Sequence, residues 1–127
     1  LVLGDKMGTQ KNIEEQLDNL NNTDGVRGSL VVRQDGLLIA SKLNNDDINE
    51  DQVGAMTAST LGSGETASDS LQLGDVKGIT VETQDGKIIS MSVGSEGILT
   101  ILTSAGTSIA DINDSIREAG VAIADEL

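Results

Sequence analysis

The chain has 127 residues, eight Lys and Arg against 21 Asp and Glu, and a formal net charge of −13. Such a charge repels phosphate backbones and anionic headgroups, which excludes nucleic acid and membrane surfaces as expected partners. The absence of Cys and His removes disulfides, thiol nucleophiles, imidazole bases and the usual zinc or haem ligands, and most enzyme chemistry with them.

Residues 1–8, LVLGDKMG, are expected to be a disordered or cloning-derived start. Ile13, Leu17 and Leu20 then recur at helical spacing, which predicts a short amphipathic helix over residues 9–21, ended by NTDG. Gly28 to Ser41 reads as a β-hairpin, with Leu30 and Val32 on one face and Val31 on the other. Its turn is Asp35-Gly36, and the stretch VVRQDGLLIA has a partial echo in VETQDGKIIS at Val81. Asp-Gly between apolar β-branched runs is the signature of a two-residue type I′ turn, so Asp35 and Asp85 are expected to be hairpin corners and not paired catalytic carboxylates.

After the loop NNDD, Asn49 and Gln52 form a capping-box pattern, and a second helix is expected from about Glu50. That helix places Gly54, Ala58 and Gly62 at intervals of four, one row down a single face. Each glycine inside a helix costs about 1 kcal/mol relative to Ala, so close approach of another backbone is the expected reason for them. Three strand-like runs follow, VKGITVET, KIISMSV and ILTILT, which read as an antiparallel meander. Ile109, Ile112, Ile116, Ala119 and Ile123 make the stripe of a last helix, with Ser108 and Asp111 as a second capping box. The order α-β-β-α-β-β-β-α predicts an α+β fold, an α/β sandwich on one five-stranded antiparallel sheet, with residues 9–127 as a single domain.

No apolar run approaches the ~20 residues of a membrane span, and a soluble, cytoplasmic protein is expected. Several apparent motifs fail on context. GSGETA at Gly62 matches a dinucleotide fingerprint but follows a capped helix instead of a strand. The loop NNDDINED departs from the calcium-loop template at Glu50 and Met56, and Gly86-Lys87 lacks the flanking residues of a phosphate loop. Serine and threonine are abundant, yet none has an evident activating base, so no enzyme activity, cofactor or metal is expected. Arg27 and Arg33 are expected to be surface charges that neutralise neighbours within the sheet.

The stretch VRGSLVVRQDGLLIAS resembles the first hairpin of the roadblock-type dynein light chain family, through Gly28, Asp35, Gly36, Leu37, Ile39, Ala40 and Ser41. The stretch from Leu71 to Thr103 is similar to that family's third to fifth strands, with Leu73-Gly74 ahead of them. The resemblance implies a long second helix on one face of the sheet and the terminal helices on the other. It also implies homodimers that pair through the second helix and third strand into a ten-stranded sheet. Prokaryotic members are associated with Ras-like small GTPases as regulators, and eukaryotic ones with motor-cargo and signalling adaptors. The chain departs from the family in lacking aromatics, with Lys87 at a position that is often bulky, and in a second helix rich in Gly and Ser.

The resemblance implies a non-enzymatic homodimeric regulator or scaffold for a Ras-like small GTPase. The alternatives are a protein or peptide adaptor with another partner, and a profilin-like sensor or small-molecule enzyme, which would require a persistent ligand pocket. The expected dimer interface comprises Gly54, Ala58, Gly62, Val53, Leu61, Val76 and Ile79, and the expected partner-binding residues are Glu50, Asp51, Glu65 and Asp69.

Overall fold

The computed structural model describes residues 2–127, with side chains from Gly8 onward. Its first helix, α1, spans Val2–Asn21 and so begins seven residues before the predicted start at Thr9. The expectation of an unstructured start concerns in part Leu1 and the side chains of residues 2–7, which lie outside the described residues. The strands are β1 (Val26–Arg33), β2 (Leu38–Leu43), β3 (Ile79–Glu82), β4 (Gly86–Val93) and β5 (Gly97–Ser104). The other helices are α2 (Glu50–Leu71) and α3 (Ile109–Glu126).

All five strands join one sheet in the order β2-β1-β5-β4-β3, and every neighbouring pair is antiparallel. The period-2 alternation read from the first hairpin decides which helix each strand residue meets. Val31, Ile89, Leu99 and Ile101 pack with Ile13, Leu17 and Leu20 of α1 and with Ile112, Ile116 and Ile123 of α3. Leu30, Val32 and Ile98 point the other way and pack with Leu61 of α2. The apolar stripes of α1 and α3 are thus spent on one face, and α2 lies alone on the other, as the resemblance implies.

Local chemistry corrects three expectations. The Asp35-Gly36 turn is not type I′, because Asp35 has negative φ and only Gly36 is left-handed, at φ +92°. The Gly36 N–H donates to the Arg33 carbonyl at 2.9 Å, and Asp35 Oδ1 accepts from the Leu37 N–H at 3.1 Å. Aspartate therefore acts here through an Asx hydrogen bond, and the positive φ falls on glycine alone. Its echo at Asp85-Gly86 has a different cause. A Cβ on Gly86 would collide with the Thr103 carbonyl oxygen on β5, and Thr83 Oγ1 closes the turn by donating to the Gly86 carbonyl at 2.7 Å.

The helix caps divide as well. Asn49 Oδ1 accepts from the Gln52 N–H at 3.1 Å, as the pattern predicts, whereas Ser108 at the start of α3 makes no side-chain cap bond. Asn49→Ala should therefore lower the unfolding free energy by about 1 kcal/mol, and Ser108→Ala by much less. Urea titration of the two variants checks this. The third strand is the remaining correction, since only four residues of VKGITVET form the ladder. Gln72, at φ 56°, ends α2 in a left-handed cap, and the residues up to Gly78 serve as the return to the sheet.

Candidate functional site

One turn of α2 brings residues 3.6 positions apart into line, so its faces follow from which residues the sheet buries. Gly54, Thr57 and Leu61 are buried, and Val53, Ala58 and Gly64 are half-buried beside them. That row faces the chain's own sheet. A Cβ on Gly54 would stand 2.7 Å from Cγ1 of Val32, and one on Gly64 would run into Cδ1 of Ile79. The close approach that the glycines permit is therefore to β1 and β3 of the same chain.

This reassigns part of the expected interface. Gly54 and Leu61 are core residues, with Leu61 only 1% exposed, and Ala58, Val53, Val76 and Ile79 pack partly against the same cluster. Gly62 alone of the expected row is open, with nothing within 4 Å of where its Cβ would be. On the side turned away from the sheet, α2 presents Gln52, Ala55, Met56, Ser59, Thr60, Ser63, Thr66, Ala67 and Ser70. None carries a charge, most are small, and Met56 is 60% exposed.

The four charged residues of α2 are Glu50, Asp51, Glu65 and Asp69. They fall within an arc of about 100° on the helical wheel, on one flank, so the outward face is free of charge along its length. Asp51, Glu65 and Asp69 are exposed and Glu50 is half-buried in the first turn, where a carboxylate is favoured by the helix dipole. The expected partner-binding set therefore splits in two, with Glu65 and Asp69 beside Asp75 near Ser92, and Asp51 about 20 Å away along the axis.

The two sheet edges differ. At β2, side chains of α1 reach the strand, with Asn21 Nδ2 donating to the Lys42 carbonyl at 2.9 Å and Gln10 Nε2 to the Ile39 carbonyl at 3.4 Å. At β3, three of the four residues are exposed, and among the described residues no side chain bonds to that strand's backbone. Beyond these surfaces, no group of three or more metal-ligating side chains occurs among the described residues. Likewise, no described helix is long and apolar enough to cross a membrane. GSGETA lies inside α2, which leaves no loop there to cradle a phosphate. Arg33 pairs with Asp35 at 3.3 Å, whereas Arg27 donates to the Asp85 main-chain carbonyl at 3.3 Å and, among the described residues, pairs with no carboxylate.

Sequence reasoning missed Ala55, Met56, Ser59 and Ser63 as the exposed row. The signal was present in Leu61, the largest apolar side chain in the middle of the helix, because a lone large residue there marks the inward face.

The Roadblock/LC7 domain model matches residues 12–103. An uncharacterised protein of Methanocaldococcus jannaschii is 37% identical over 107 residues, covering 84% of this chain and 89% of its own length. Among solved structures, MglB of Myxococcus xanthus superposes with a TM-score of 0.84 at 17% identity, covering 91% of this chain and 87% of its own. The gliding protein MglB of Thermus thermophilus gives 0.83 at 13% identity, with 93% and 90% covered.

Proposed function

The chain belongs to the Roadblock/LC7 domain family, and from that premise we propose that it is a non-enzymatic regulatory or scaffold module, paired with a second copy of itself, that docks a Ras-like small GTPase. The observation that carries the reading is the charge-free, small-residue outward face of α2 in a chain of net charge −13. Charged residues are depleted at the centres of protein interfaces, and small ones let two helices approach closely. The open β3 edge beside it supports the same pairing, since an unpaired strand is a template for another strand. Two copies joined there carry twice −13, or −26, and leave Glu65, Asp69 and Asp75 beside the joint.

A field of this sign favours a basic surface on the partner and acts mainly on the rate of encounter. Any stimulation of hydrolysis would come from ordering the GTPase's own loops, because Arg27 and Arg33 both belong to β1 and the surface of α2 carries no Arg.

The test is to titrate the protein against Ras-like GTPases from the same source, each loaded with GDP or a GTP analogue, over a range of salt. The charge reversal Glu65→Lys with Asp69→Lys should slow association by about tenfold and flatten its salt dependence, with little change in dissociation. If no GTPase binds and an affinity pull-down returns an unrelated partner, the adaptor reading replaces this one.

A further inference from the structure

The helix α2 packs near the β1–β2 turn and leaves one cross-strand row of its own sheet face uncovered. Leu43, Gly28, Leu102, Ile88 and Val81 stand side by side on β2, β1, β5, β4 and β3. Leu43, Leu102 and Ile88 are half-buried and Val81 is exposed, whereas Leu30 and Thr100 in the adjacent row are sealed beneath α2. Leu43, Leu102 and Ile88 of this row floor a cleft of about 360 Å³, walled by Asn44, Asn45 and Ile48 on one side and by the turn from Thr83 to Lys87 on the other.

Two of the chain's eight cations, Arg27 and Lys87, stand at this cleft together with Asp85. Lys87 Nζ donates to the Thr107 carbonyl at 2.8 Å and Arg27 Nη1 to that of Asp85 at 3.3 Å. Among the described residues, neither lies in an ion pair with a carboxylate. The Lys87 ammonium is turned towards α3, whereas the Arg27 guanidinium has five donors and retains some for an incoming anion. An aliphatic floor with a guanidinium at its rim contrasts with the acidic flank of α2.

From this pairing of floor and rim we infer that the cleft docks a segment of a partner protein that carries aliphatic side chains and an adjacent acidic residue. A polypeptide fits better than a metabolite, because small-molecule sites enclose most of their ligand and this floor lies open along the sheet. The site is separate from the surface assigned to the GTPase and does not rest on that assignment. It would let one module hold a basic partner at α2 and an acidic-apolar segment at the sheet.

The experiment is selection of random short peptides displayed on phage against the intact protein, followed by amide-shift mapping with a synthetic copy of the enriched sequence. Enriched peptides should combine Leu, Ile or Val with Asp or Glu, and should move the resonances of Ile88 and Leu102. Arg27→Glu should weaken them at least tenfold, and Arg27→Lys should restore most of the affinity. Ile48 lies in the loop ahead of α2, so Ile48→Glu should have a similar effect with the thermal midpoint and GTPase association unchanged. Failure to enrich any sequence, enrichment of basic sequences, or binding indifferent to both Arg27→Glu and Ile48→Glu would overturn the proposal. So would octanoate shifting the same resonances when no peptide is selected.

Discussion

Leu61→Ala should lower the free energy of unfolding by about 3 kcal/mol, and the loss should be the same at every protein concentration. Leu61 is 1% exposed in the single chain and closes the core cluster formed with Leu30, Val32 and Ile98. Truncating a buried leucine removes its transfer free energy and leaves a cavity, which together cost about 2–5 kcal/mol. The surrounding residues cannot refill the space, because the neighbours on α2 are Gly54, Thr57, Ala58 and Gly64. Urea titration at several protein concentrations measures the effect. A residue at an interface between copies would behave differently, with a loss that grows as the protein is concentrated and association contributes more. That second pattern would return Leu61 to the interface and would require α2 to be rotated from its position here.

The layers of this fold are legible in the sequence wherever one residue class repeats with one period. Ile13, Leu17 and Leu20 and the isoleucine stripe of α3 are unmistakable because these large apolar residues repeat at helical spacing and fall on the same face. The orientation of α2 is not legible in the same way. Its large apolar residues are few, with Val53 and Leu61 inward, Met56 outward and Leu71 exposed at the helix end, so the glycine row becomes the most visible pattern and suggests the wrong neighbour. A glycine shows that something approaches closely and does not say what; here Gly54 meets Val32 of its own sheet.

The two Asp-Gly pairs fail for a related reason. Identical residues satisfy different demands, a left-handed φ at Gly36 and freedom from a Cβ at Gly86, and a local pattern cannot distinguish them. The length of β3 depends on where the chain leaves the cap of α2, a constraint that lies outside the strand's own residues.

The outward face of α2 makes the sharper functional test. Replacing Ser59 and Ser63 together by Asp should leave the fold intact and raise the dissociation constant of the paired chain by at least about 100-fold, equivalent to nearly 3 kcal/mol. Both serines are exposed on the charge-free face, and exposed substitutions of this kind change chain stability by about 0.5 kcal/mol or less. In a pair related by a two-fold axis each substitution occurs twice, so four new carboxylates enter a surface that has none. Like charges brought together across an interface cost several kcal/mol, and the −13 already on each copy offers them few cations. Sedimentation equilibrium at tens of micromolar, with urea titration alongside, reads association and stability separately. A dimer that survives both substitutions would place the joint elsewhere on the molecule, and a native chain that sediments as a monomer at that concentration would remove the pairing altogether. The matching reversal at Glu65 and Asp69 should leave self-association nearly unchanged, because those residues lie on the flank that carries all four acidic groups of the helix. The two double substitutions therefore separate the surface that joins the copies from the surface that attracts the partner.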